Sequence, residues 1–379
     1  MLIPVARAPS PAKQPQNHVR PSARDLHLPS TSKHRSSATN YLGSHLIWIL
    51  LGEPNLGVSV SLPPASDHFD GDLFYNPTLP RGFLPTISSI FRLIREKRNK
   101  WPKSVANTAI PSLYEKLASS EVAITFVNHA TFLIQTGGMN ILTDPVWSRR
   151  VSPFRWLGPA RVRKPGVDFQ QLPNIDLILL SHNHYDHLDV DTLRKLNRRF
   201  TPTVLVPVGN RSLLRSIGFE DVREFDWWDE TEITPELRIT FAPTQHFSGR
   251  SLWDRQKSLW GSYMIQHQDR LIYFGADSGY STHFSEIRTR LGAPDLALLG
   301  IGAYEPRWFM KPMHMNPAEA VQAHLDLGSK HSIGMHFGTF QLSSEAIDQP
   351  QVDLKVALAE AHIPEAEFVT LPEGETHIY

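Results

Sequence analysis

The chain of 379 residues contains no cysteine. That excludes disulfides and thiolate metal ligands, and it permits a reducing compartment. A charge excess is also lacking, since Lys plus Arg and Asp plus Glu number 38 each. With no basic surplus to attract phosphates, a nucleic-acid partner is not expected. Nor is there an apolar run close to the roughly 20 residues that span a bilayer; the nearest candidate, "LIWILL", is far too short. These absences lead us to expect a cytoplasmic protein. What the chain does have is 18 histidines, so any metal site must be built from imidazole and carboxylate.

Texture changes along the chain. The first forty residues are rich in Pro, Ser, Arg and Lys, with Asp25 as their only acid. This composition predicts a disordered extension over residues 1–65, with a transit peptide or a misassigned start as alternatives. Residues 66–120 read as an N-terminal helical wrap. They hold "DHFDGDLFYNP" and then "SSIFRLIREKRNKW", whose apolar residues recur at helical spacing beneath a basic face. That face is either simply solvated or weakly drawn to anionic lipid headgroups. From about residue 121, short β-rich runs such as "EVAITFV", "TFLIQT", "IDLILL" and "LRITFAP" alternate with fewer helical patterns. In "NPAEAVQAHLDLG", Asn316 suits an N-cap, Pro317 the first helical position and Gly328 the C-terminal stop. Many strands and fewer helices in mixed order imply sheets covered by helices.

One stretch stands apart. "SHNHYDHLD", residues 181–189, follows the apolar run "NIDLILL" and sets three histidines and two aspartates in nine positions. His182 and His184 are two apart, so an extended backbone sends both the same way. Asp186 and His187 follow as the chain turns towards a helix that Asp189 or Asp191 could cap. One ion takes three or four protein ligands, so four from a single loop point to two adjacent metals. Further donors stand just past other apolar runs: His246 after "LRITFAPTQ", Asp277 after "RLIYFGA" and His336 after "HSIGM". Taken singly, each is as well read as a hydrogen-bonded His or a turn Asp. Together they divide into His182, His184 and His246 for one ion, and Asp186, His187 and His336 for a second, with Asp277 as the bridge. Such a donor set suits two Zn²⁺ ions, while Fe and Mn remain compatible. A pair of this kind holds a bridging hydroxide as a nucleophile near neutral pH.

This H-x-H-x-D-H pattern with later His, Asp and His resembles the metallo-β-lactamase fold. "FVNHATFLIQTGGMNILTDPVW", "FDWWDE", "LWGSYMI", "FGADSGY" and "IGAYEPRWFMKPMHMNPAEAV" narrow the resemblance to the N-acyl-phosphatidylethanolamine-hydrolysing phospholipase D family. The likeness runs almost continuously from about residue 66 to 375, and "DHFDGDLFYNP" resembles the family's N-terminal signature. The resemblance implies an α+β fold, an αββα sandwich of two mixed sheets flanked by helices, over residues 66–379. It also implies two Zn²⁺ ions per chain between the sheets, often within a homodimer. The reaction implied is hydrolysis of N-acyl-phosphatidylethanolamine to N-acylethanolamine and phosphatidic acid by a metal-bridging hydroxide. Asp186 would then be catalytic as a ligand. Asp144 in "ILTDP" would orient a ligand imidazole, and His314 in "KPMHMN" would bind substrate or protonate the leaving group. His129 in "NHAT" would support the centre. A phospholipid substrate further implies peripheral contact with a membrane surface. The chain departs from the family where the animal enzymes carry glutamine before the counterpart of His314. Met313 stands here, which puts the exact lipid in question. A hydrolase of another phosphodiester or of a lactone is the alternative reading.

Overall fold

A computed structural model describes residues 65–81, 87–115, 117, 121–251 and 253–379. Apart from Ala65, the extension expected to be disordered lies outside the described residues.

Two seven-stranded sheets dominate. In the first, β1 (Val122–Asn128), β2 (Thr131–Thr136), β3 (Met139–Thr143), β4 (Leu177–Leu179), β5 (Thr203–Pro207) and β6 (Val222–Phe225) lie in chain order, with β14 (Thr376–Ile378) beside β1. The second runs β7 (Glu230–Thr234), β8 (Leu237–Ala242), β9 (Ser262–His267), β10 (Arg270–Phe274), β11 (Leu296–Gly300), β12 (His331–Met335) and β13 (Phe368–Thr370). Each sheet changes from antiparallel hairpins to parallel pairs, at β3–β4 in the first and at β10–β11 in the second. The parallel strands need crossover connections, and these supply the helices.

Alternation within the strands explains the layering. Ile124, Phe126, Phe132 and Ile134 from the first sheet meet Ile239, Tyr263, Ile265 and Phe274 from the second in one buried core. The opposite face of the first sheet carries Leu133, Leu142, Val204 and Val206 against Leu193, Leu196 and Leu214. Those three come from α2 (Val190–Phe200) and α3 (Arg211–Ser216). On the second sheet Tyr273, Ala297 and Leu299 meet α4 (His283–Leu291), α6 (Pro317–Leu327) and α7 (Gln349–Glu360). The result is helix, sheet, sheet, helix.

The caps fall where the residues place them. Asn316 accepts from the Glu319 N–H at 2.9 Å, and Glu319 returns the bond to the Asn316 N–H at 3.1 Å. Gly328 closes α6 in the left-handed region. Of the helical wrap expected over 66–120, the described residues contain one helix, α1 (Ile87–Arg95). It stops short of "EKRNKW" because that stretch bonds elsewhere. Asn99 Nδ2 donates to the Ser344 carbonyl at 3.1 Å, and Trp101 Nε1 to that of Glu345 at 2.9 Å. Among the described residues no helix is long and apolar enough to cross a membrane.

Candidate metal centre

Strand ends converge at one rim of the sandwich. The loop after β4 turns sharply, with the N–H groups of His187 and Leu188 both donating to the His184 carbonyl. Asp189 then caps α2, accepting from the N–H groups of Asp191 and Thr192 at 3.2 and 3.4 Å. This settles its part as support. Asn183 and Tyr185 point away from the cluster. Asn183 Oδ1 accepts from the Gly249 N–H at 2.7 Å, and the Tyr185 hydroxyl donates to the Arg250 carbonyl at 3.0 Å. Arg250 Nη1 in turn donates to the carbonyls of Asn183 and Leu188, both at 2.8 Å. The ligand loop is thereby clasped from outside.

All seven residues expected to bind metal are buried and come together. In the first group, His182 Nε2 lies 2.8 Å from His184 Nδ1, and His246 Nε2 lies 3.3 Å from the same atom. Neighbouring donors on a tetrahedral zinc ion would be about 3.3 Å apart, given Zn–N bonds of about 2.0–2.1 Å. The second group brings Asp186, His187 and His336 together with His129. Asp277 lies between the groups. Its Oδ2 is 3.2 Å from His187 Nε2, 3.1 Å from His336 Nε2 and 3.6 Å from His246 Nε2. His314 Nδ1 is 3.8 Å from the same oxygen.

The arrangement fits a cation better than it fits itself. Neither Asp277 oxygen, nor Nε2 of His187 or His336, makes a well-directed hydrogen bond, although all are fully buried. Polar atoms held this close without aligned donors are costly unless a positive charge satisfies them. The partners on the far side of the rings fix which nitrogen faces inward. His187 Nδ1–H donates to Asp144 Oδ2 at 2.7 Å. The Ser181 hydroxyl donates to the same oxygen at 2.6 Å and accepts from His182 Nδ1 at 2.9 Å. One buried carboxylate, Asp144, thus contacts one imidazole directly and a second through Ser181, the intermediary that sequence reading missed. His246 Nδ1–H donates to the Met313 carbonyl at 3.0 Å. Because a backbone carbonyl does this, the departure at Met313 leaves the contact intact. His129 Nε2 donates to Asp186 Oδ2 at 2.9 Å.

The two groups differ in charge. Burial and the neighbouring imidazoles hold His182 well below the usual histidine range, and burial pushes His246 down to about 4. Burial also opposes the charge on His336 and His187, but there the carboxylates win. Asp277 and Asp186 raise His336 to about 9, and the two with Asp144 raise His187 well above its usual value. Asp277 is held well below the usual carboxylate range by His187 and His336, against the effect of burial.

Backbone strain collects here too. His129, Asp144, Ala276, Ala303 and His336 all take positive φ, from 33° to 63°. Each such residue costs about 1 kcal/mol or more and persists only where its surroundings over-determine it. His336 is pinned by its N–H donating to the His129 carbonyl at 2.8 Å. Gly302 lets the backbone pass, since a Cβ there would stand 2.1 Å from the His336 carbonyl oxygen.

On the outer side lies an apolar cluster of Leu93, Val146, Val151, Phe247, Phe309, Met310, Met313, Phe340 and Leu342, with Tyr185 against it. The Phe247 ring meets those of His184 and His246 at 4.5 and 4.9 Å.

Residues 139–337 match the beta-lactamase superfamily domain. An N-acyl-phosphatidylethanolamine-hydrolyzing phospholipase D of Caenorhabditis elegans is 33% identical over 329 residues, spanning 81% of this chain and 92% of that protein. An uncharacterised protein of Mycobacterium tuberculosis is 38% identical over 321 residues, or 83% of this chain and 82% of its own length. Among solved structures, the metallo hydrolase Igni18 of Ignicoccus hospitalis superposes with a TM-score of 0.53 at 20% identity. The match covers 69% of this chain and 99% of that one. The fold is that of the metallo-β-lactamases, and the protein is a metal-dependent hydrolase.

Proposed function

The chain belongs to the N-acyl-phosphatidylethanolamine-hydrolysing phospholipase D family of the beta-lactamase superfamily, and from that premise we propose that it is a zinc-dependent phosphodiesterase cleaving N-acyl-phosphatidylethanolamine. The observation that carries the reading is Asp277, whose Oδ2 stands within 3.6 Å of imidazole nitrogens from both groups. His182, His184 and His246 would hold one zinc ion; Asp186, His187 and His336 the other; Asp277 both. When bound, such a pair supplies an activated water and a Lewis acid for phosphoryl oxygens.

The chain's own groups do the remaining work. Asp144 and Ser181 keep His182 and His187 presenting Nε2 inward. His129 holds Asp186 in place. His314, 3.8 Å from Asp277 Oδ2 and next in sequence to Met313 of the apolar cluster, gives a proton to the departing ethanolamide oxygen as the bond from phosphorus to it breaks. Water's oxygen joins phosphorus, and the products are phosphatidic acid and N-acylethanolamine. The apolar cluster around Phe247, Phe309 and Met310 suits acyl chains delivered from a membrane surface by a cytoplasmic enzyme in peripheral contact with it, acting as a homodimer.

The test is a product assay on three substrates side by side: N-acyl-phosphatidylethanolamine, a generic phosphodiester and a lactone. Release of N-acylethanolamine and phosphatidic acid, lost on metal removal and restored by zinc, is expected. Activity confined to the lactone would overturn the proposal.

A further inference from the structure

The motif "DHFDGDLFYNP" has no part in the reaction as derived, yet the structure threads it to the metal centre. Its first half is an anchor. Phe69 and Phe74 are buried in the core between the sheets, with ring centroids 4.5 Å apart. The His68 imidazole lies between Asp67 Oδ1 at 2.6 Å and Asp226 Oδ1 at 2.7 Å. Its second half reaches the ligands. Asn76 Nδ2 donates to the His246 carbonyl at 2.7 Å, while its own amide oxygen is buried without a partner. The side chain is therefore used only as a donor to His246. Thr78 Oγ1 donates to Gln245 Oε1 at 2.6 Å.

Gln245 joins this strap to everything around it. Its Nε2 donates to the Pro312 carbonyl at 2.8 Å, in the loop that carries Met313 and His314. Its backbone N–H donates to Ser278 Oγ at 3.1 Å, and its carbonyl accepts from the Gly279 N–H at 2.8 Å, both just past Asp277. The approach is close enough that a Cβ on Gly279 would stand 2.3 Å from the Pro312 oxygen. His246 is thus held twice, at its carbonyl by Asn76 and at its ring by Met313, whose loop Gln245 holds.

We propose that Asn76 and Gln245 are positioning residues of the metal centre, through which the strap over residues 66–78 fixes the His246 imidazole and the loop bearing His314. This deepens the dinuclear reading above and rests on it.

The test uses the full chain carrying Asn76→Ala, Gln245→Leu or, as control, Tyr75→Phe. Tyr75 belongs to the strap, but its hydroxyl donates within the strap, to the Ser66 carbonyl. Zinc affinity is read by competition with a chromophoric chelator, and ligand geometry by the visible absorption of the Co²⁺-substituted protein. Partners that orient a ligand are worth roughly 10–100-fold in metal affinity. Asn76→Ala and Gln245→Leu should weaken one of two zinc ions by about that factor and alter the Co²⁺ spectrum, while Tyr75→Phe changes neither. Should one variant fail to fold, the other decides, and Gln245→Glu, which keeps the acceptor for Thr78 but loses the donor to Pro312, should fall between. Wild-type affinity and spectrum in both variants would overturn the proposal. So would an equal loss in Tyr75→Phe, which would make the strap a general brace. Wild-type protein that takes up fewer than two zinc ions would overturn the dinuclear reading itself.

Discussion

The two halves of the metal centre are built from similar residues and behave oppositely. Around His182, His184 and His246, burial wins: His182 Nε2 and His246 Nε2 stand 2.8 and 3.3 Å from His184 Nδ1, and Asp277 Oδ2 lies 3.6 Å from His246 Nε2. Around Asp186, His187 and His336, carboxylates win, and they favour the protonated form of His187 and His336. The first half is a set of neutral nitrogen donors, which a metal can engage without displacing protons. In the second, a metal must compete with the protons that the carboxylates favour on His187 and His336.

The largest effect should come from the residue that belongs to both halves. Asp277→Ala removes the shared oxygen, and we expect activity to fall to background and both metals to be weakened, read by metal content and product release together. Retained turnover would remove its bridging role. Asp144→Asn comes next. An amide has one oxygen, so it cannot accept from the Ser181 hydroxyl and His187 at one atom and from the Ser181 N–H at the other, as the carboxylate does; affinity in both halves should drop roughly 10–100-fold, measured by chelator competition. A loss confined to one half would show that the two tautomers are set separately.

The comparison itself is sharpened by pH. His336, raised to about 9, must lose a proton to bind metal, so affinity in the second half should rise about tenfold per pH unit for each proton displaced, up to about pH 9. The first half should be flat above about pH 5, because burial holds His246 at about 4 and His182 well below the usual histidine range. The metal-free fold should respond in the opposite sense. A histidine raised in the folded state stabilises fully below its unfolded value of 6.5 and loses that contribution as pH rises through about 9. Metal-free protein should therefore weaken over that window, by denaturant melts, while loaded protein does not. Two halves with the same pH slope would erase the distinction.

Much of this was legible in the sequence because ligands sit where apolar strands stop. Four donors fall in nine residues after β4, and His246, Asp277 and His336 each follow a β-rich run closely enough to be read from spacing. Asp144 and His129 came through family resemblance, and the structure gives them contacts that suit supporting parts. What was illegible depends on contacts distant in sequence. Gln245 reaches Pro312 and Thr78, and Arg250 reaches Leu188; no local pattern marks either. Ser181 looked like the first residue of the motif and proved to connect Asp144 to His182. In the fold, β6 "VREF" and β7 "ETEIT" carry charged, partly exposed residues at sheet edges, so the alternation that signals a strand is absent. β14 forms only by pairing with β1, some 250 residues earlier. His324 on α6 is buried and bonded to Ser332 Oγ at 2.9 Å. It is part of the packing between α6 and β12.

Two clusters that each hold an ion are the core of the proposed centre. Elemental analysis of the purified full chain, saturated with zinc and freed of loosely bound metal near pH 8, tests it most directly. The expected result is about two zinc ions per chain, falling to about one when the pH is lowered far enough to protonate the second half alone. A chain that holds one zinc or none at the higher pH would contradict it.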